Sequence, residues 1–429
     1  MKLLTKNIDF IFLIFLLFIT QGSLPLKIVG IFFVLTIRAN ALYYLNSFNL
    51  FYFSIIAYHL VYGSLCILFE SFRYLPTYFL SLIFWVVSYI SLSQVLYFFK
   101  KHTTIKVVKT IDTFFLINIS IVIFQFIDIM YSYGSLNPYG VSTSAGDFIK
   151  SIYSNSSVNS IIMGFFAVMY LLRKKWTKGI FAVIILIMTT YMSGLIIFTV
   201  SIAVSLFLFS KIKLKYKALV IISGIAMLSI FKRVSPDNVT YVSRYISRII
   251  ANDDNVPFKI KSFRETFEYS ISSLKSFVFG AGAGNFSSRS AFISSGDYVN
   301  WYPEFLTYAH KDFQDNHLAL WNYDFRNPWD NNNNTANQPF SVYNQIIGEY
   351  GLIGVMLFLF FYIGFIFKKW KKLTFTKFLV ISLAFYFVLD YWFEYFSVII
   401  IFELLVMLDI KLNSEPETIA VAENNTPTH

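Results

Sequence analysis

The residues that could do chemistry are concentrated in one polar segment, 232–343, and in the first turns of the apolar block after it. Phe279-Gly280-Ala281-Gly282-Ala283-Gly284-Asn285-Phe286 alternates glycine with alanine. Gly280, Gly282 and Gly284 carry no side chains and accept positive φ, so the backbone can approach a ligand and offer N–H groups to an anion. The same run also reads as an ordinary flexible turn. Basic residues gather in the first half of the segment: Lys232, Arg233, Arg244, Arg248, Lys259, Lys261, Arg264 and Lys275. Each arginine is either a fork of donors for an anion or a solvated charge paired with a neighbour such as Asp253, Asp254 or Glu268. The second half holds Trp301, Tyr302, Tyr308, Trp321, Tyr323, Trp329 and the asparagines 331–334. Rings and amides of this kind suit sugars, which stack CH groups on rings and bond hydroxyls to amides; they also suit anchoring at a membrane interface. His310 and His317 lie near Asp312 and Asp315, but the spacing fits no standard zinc pattern, and the histidines are expected at the surface.

The elements that must position these groups are apolar. Of 429 residues, 56% are hydrophobic and 20% aromatic, and mean hydropathy is +0.60. That composition excludes an ordinary soluble domain and predicts an all-α integral membrane protein. Twelve spans are expected at about 9–23, 26–37, 48–69, 77–99, 111–131, 159–172, 179–192, 195–209, 218–231, 346–367, 378–393 and 396–408. The chain thus divides into helices 1–231, a large loop 232–343, helices 344–410 and a tail 411–429 expected to be disordered. A stripe of Phe263, Phe267, Ile271 and Leu274 predicts an amphipathic helix over 258–277, lying on the membrane or over a cavity mouth.

The net charge of +11 does not point to nucleic acid, because most basic residues sit in short clusters between apolar blocks. With the N-terminus inside, 21 of the 35 Lys and Arg fall on the cytoplasmic side and three in short outer loops. The bias of cytoplasmic loops toward Lys and Arg therefore puts both termini in the cytoplasm and the 232–343 segment outside. The single cysteine, Cys66, cannot form an internal disulfide or a cysteine metal site.

Pro339-Phe340-Ser341-Val342-Tyr343-Asn344-Gln345-Ile346-Ile347-Gly348-Glu349-Tyr350-Gly351-Leu352-Ile353-Gly354 resembles the entry to the span after the large periplasmic loop in the O-antigen ligase and polymerase superfamily. Arg264 followed by the glycine-rich run resembles the same family's arginine and turn. Ligases usually have His-Asn where this chain has Tyr343-Asn344, and an Arg after the Ser-Gly pair where Leu195 follows Ser193-Gly194. The chain is therefore more similar to the repeat-unit polymerases (Wzy type), with a GT-C-like arrangement of helices.

The resemblance implies a metal-independent glycosyltransferase of the bacterial inner membrane, with no cofactor. Its partners would be a polyprenyl-diphosphate-linked oligosaccharide, membrane lipid and a chain-length regulator. Arg264 would stabilise the leaving diphosphate, with Arg244 and Arg248 as second choices. Glu349 could serve as base, or be a helix-start acid favoured by the macrodipole. Tyr343 and Asn344 could position sugar or diphosphate. The alternatives are a ligase joining glycan to lipid A-core and, from another class, a lipid-linked oligosaccharide transporter.

Overall fold

The computed structural model describes residues 7–69, 71–134, 149–209, 256–321 and 337–414, with 240, 243, 246–248 and 335 besides. Among the described residues every regular element is helical. The membrane part begins with α1 (Phe10–Thr20) and α2 (Leu24–Arg38). α3 (Ser47–Tyr58) continues through a π-helical turn, His59–Gly63, into Ser64–Phe69. α4 (Leu75–Lys101) and α5 (Thr104–Tyr133) are the longest. α6 (Ser156–Leu172), α7 (Trp176–Met188) and α8 (Met192–Phe209) follow. Outside them lie α9 (Phe258–Ser272), α10 (Leu274–Phe279), α11 (Arg289–Ser294) and α12 (Lys311–Asn316). α13 (Val342–Leu357) runs on through a π-helical stretch to Lys368. α14 (Thr376–Tyr386) and α15 (Phe396–Ser414) close the bundle.

Among the described residues six helices are long and apolar enough to cross a membrane: Leu24–Tyr43, Ser47–Phe69, Phe72–Lys101, Thr104–Tyr133, Met192–Phe209 and Val342–Lys368. Four apolar helices are shorter, α1, α6, α7 and α14. The protein is a helical membrane protein, but the twelve expected spans are not all present as full-length helices among the described residues. The 11 residues of α1 rise about 16 Å, half of a ~30 Å hydrocarbon layer. The expected ninth span, 218–231, and the tail beyond Ser414 lie outside the described residues. The expected span 378–393 stops as a helix at Tyr386, and 387–395 is a non-helical link.

α15 is the central helix. From Phe396 to Val406 every residue is buried, so it has no outward face. Its one acid in that stretch, Glu403, is met by the hydroxyls of Tyr52 (2.6 Å) and Tyr362 (3.2 Å). Aromatic rings fill the space around it, with Phe51, Trp85, Tyr362 and Phe393 in edge or tilted contact. In lipid such packing, not exclusion of water, holds helices together.

The two ends of the bundle differ. At one end, Asp9 accepts two bonds from Arg38 (2.7 and 2.8 Å) and lies 2.7 Å from His102. Lys178 pairs with Asp112 at 2.6 Å, Asp409 accepts the N–H groups of Thr374 and Thr376, and Lys411 bonds to the carbonyl of Phe99. The lysine-rich turns after α4, α6 and α13 therefore share this end. The other end carries α9 to α12, the start of α13 and the 387–395 link.

α9 is amphipathic in the opposite sense to a soluble helix. The expected apolar stripe points outward, with Phe267 64%, Ile271 60% and Leu274 80% exposed. Lys259, Ser262, Thr266 and Ser270 face the protein. The expected single helix is broken at Ser273, whose hydroxyl accepts the N–H of Ser276 (3.0 Å) and caps α10.

Candidate functional site

The polar end is built around a break in α13. Gly351 has φ +56° and ψ −151°, a conformation in which an L side chain is strained. A helix interrupted there cannot satisfy its preceding carbonyls by the regular ladder. The glycine-rich turn satisfies them: Ala281 N–H donates to the carbonyl of Gly348 (2.8 Å) and Gly282 N–H to that of Glu349 (3.0 Å). Contact is backbone on backbone. A Cβ on Gly280 would lie 2.5 Å from the Glu349 carbonyl carbon, and one on Gly351 2.7 Å from Gly280 N. Three tyrosines fix the turn to the membrane helices. Tyr58 donates to the carbonyl of Phe279 (2.6 Å), Tyr62 to Gly280 (3.2 Å) and Tyr74 to Ala283 (2.5 Å).

Glu349 is fully buried beneath this turn. Its Oε1 accepts the N–H groups of Ser287 (3.1 Å) and Phe286 (3.4 Å). Its Oε2 is buried with no hydrogen-bond partner among the described residues. A second buried carboxylate, Glu394 of the 387–395 link, takes the other side of the same strand of chain. It accepts Arg289 N–H at Oε2 (2.5 Å), and Gln345 (3.0 Å) and the Ser290 hydroxyl (3.5 Å) at Oε1. Residues 286–290 are thus strung between two carboxylates. Tyr391 shares a hydrogen bond with the Ser287 hydroxyl (2.9 Å).

The cations of the site are Arg289 and Lys259. The Arg289 guanidinium lies 4.4 Å from the centre of the Tyr395 ring, and its Nη1 donates to the carbonyl of Glu394 (3.4 Å). Its Nε is buried without a partner among the described residues. Lys259 donates to the carbonyls of Phe340 and Leu389 (2.8 Å), stitching α9 to the entry of α13 and to the link. Burial lowers its pKa to about 7, with the charge of Asp390 acting the other way. Burial raises Glu394 to about 8, and the nearby Glu349 charge adds to this. Buried carboxylates pushed this way are protonated in part at neutral pH, the condition in which one group can give and the other take a proton.

The sequence-expected residues fall into three groups. Gly280, Gly282, Gly284 and Glu349 are brought together. Asn344 is buried beside them and donates to the Ser262 hydroxyl (2.9 Å) and the carbonyl of Pro339 (3.2 Å), holding α13 against α9. Tyr343 turns away and bonds to the carbonyl of Ala384 on α14 (2.9 Å). Arg264 is 80% exposed and pairs with Glu268 one turn on (2.9 Å). Arg248 is exposed, and Arg244 lies outside the described residues. Three further residues escaped notice: Arg289, Asp390 and Glu394. The signal was there, since two acids within the otherwise apolar run 387–396 are expensive at a membrane unless used. His317, expected at the surface, is buried, with Nε2 3.0 Å from the Thr266 hydroxyl and its ring against Phe286.

The fold and this centre define a helical membrane protein with a buried, carboxylate-rich polar site at one end of its bundle. Compared with known proteins, the chain matches no family model, no curated protein and no solved structure.

Proposed function

We propose that the chain is a surface-polysaccharide polymerase. It would transfer a growing glycan from its polyprenyl diphosphate to the end of a new lipid-linked repeat unit, at the periplasmic face of a bacterial inner membrane. The observation that carries this reading is the closure of the glycine-rich turn on the entry of α13 around Glu349. These are the two stretches whose sequences resemble the polymerase family, and the residues that join them, Ala281 to Gly348 and Gly282 to Glu349, are 67 positions apart.

In the reaction, an acceptor sugar hydroxyl attacks the anomeric carbon of the donor. The new C–O bond forms as the bond to diphosphate breaks, and the diphosphate leaves with the electron pair. Glu349, with one oxygen unpartnered, takes the hydroxyl proton. Arg289 is the cation at the centre itself, and its fork suits the charge growing on the diphosphate. Arg264, on the outward face of α9, meets the diphosphate at the rim. Asn344 ties the start of α13 to α9 and Gln345 ties it to Glu394, which fixes the entry helix around the centre.

The test is the glycan ladder of a strain lacking this gene. Without the protein, the surface glycan should be core bearing one repeat unit. The full chain should restore the ladder and Glu349→Gln should not, with the variant present in the membrane at the wild-type level. Gln keeps the oxygen that accepts Phe286 and Ser287, so the fold is preserved while the base is lost. A normal ladder from Glu349→Gln, or long lipid-linked polymer in the deletion strain, would defeat the proposal.

A further inference from the structure

We infer that the basic end of the bundle holds a binding site for one anionic phospholipid. A cavity of about 300 Å³ opens there between the 44–46 link and the ends of α4 and α15. Its walls combine two chemistries. Leu96, Phe99, Met407 and Ile410 are apolar, while Lys100 and Lys411 supply two positive charges, and none of the described residues lining it is acidic. Both ammonium groups are positioned. Lys100 lies 4.4 Å from the centre of the Tyr44 ring, and Lys411 is 3.0 Å from the carbonyl of Phe99.

A ligand for such a cavity needs an anionic group beside hydrocarbon. The volume suits a glycerophosphate headgroup rather than a whole lipid. The acyl chains would leave past Leu45, which lines the cavity and is 60% exposed. A free phosphate ion would use the two lysines but gain nothing from the apolar wall. The site is at the opposite end of the bundle from Glu349, so the inference is independent of the proposed reaction.

The test is native mass spectrometry of the full chain in neutral detergent, titrated with phosphatidylglycerol, phosphatidylcholine or inorganic phosphate. Wild type should retain one phosphatidylglycerol about thirtyfold more tightly than the Lys100→Gln/Lys411→Gln double variant, the effect of two lysines at a membrane surface. Lys100→Arg/Lys411→Arg should bind like wild type, and so should Lys174→Gln/Lys175→Gln, which removes two charges elsewhere at the same end. Equal retention of phosphatidylcholine, or loss of binding in the Lys174/Lys175 variant as large as in the cavity variant, would overturn the site. Inorganic phosphate that competes as strongly as the lipid would assign the cavity to a free anion and overturn the lipid.

Discussion

Glu394 shows how much a single buried side chain can dictate. Its native pKa near 8 stands above the ordinary glutamate value of 4.5 because burial disfavours the charge. Between those values the folded protein holds a proton that the unfolded chain has released. Unfolding then releases a proton, so the group's contribution to stability is fully present below about 4.5 and is lost as pH rises through about 8. Glu394→Gln has no proton to lose. Thermal unfolding followed from pH 5 to pH 8 should therefore fall less steeply with pH in this variant than in wild type. Gln has one acceptor oxygen in place of two and cannot keep all three bonds, so its melting temperature is also lower throughout. The slope is the readout, and an unchanged slope would mean that another group carries the titration. Glu394 is marked in the sequence as an acid in an apolar run, but its meeting with Arg289 is hidden, because nothing local pairs residue 289 with 394; only the return of the chain through 387–395 does so.

At the scale of elements, the break in α13 and the glycine turn form one device. Gly351 needs positive φ and also sits against the backbone of Gly280 and Val278, whereas at Gly134, at the end of α5 with φ +65°, an added Cβ meets none of the described residues within 4 Å. Gly134→Ala should cost only the left-handed strain, about 1–2 kcal/mol. Gly351→Ala should cost clearly more, because the turn must also move, and it should lower activity in proportion. Similar losses of stability in the two variants, measured by thermal unfolding, would show that the close approach does not matter. Much of this was legible in sequence: alternating glycines and a carboxylate at the edge of an apolar block are local signals. The sense of α9 was not. Its period reveals an apolar stripe, but a stripe does not say whether protein or lipid covers it, and here Lys259 and Asn344 draw the polar face inward.

For the whole molecule, hydropathy alone marked the helical membrane class, because a hydrocarbon layer imposes length and apolarity on each segment separately. Among the described residues six helices have full-span length, while α1, α6, α7 and α14 are apolar but shorter, so the count of twelve is not reached there. The molecule that results has a lysine-rich end, a buried aromatic middle around α15 and a carboxylate centre at the far end. The account rests on that centre joining sugars. The most direct measurement uses the purified chain in liposomes with a synthetic polyprenyl-diphosphate-linked repeat unit, counting polyprenyl diphosphate released against glycosidic bonds formed. The prediction is one released per bond for wild type, and none of either for folded Glu349→Gln. Absence of both products with wild type, or an undiminished yield from Glu349→Gln, would contradict it.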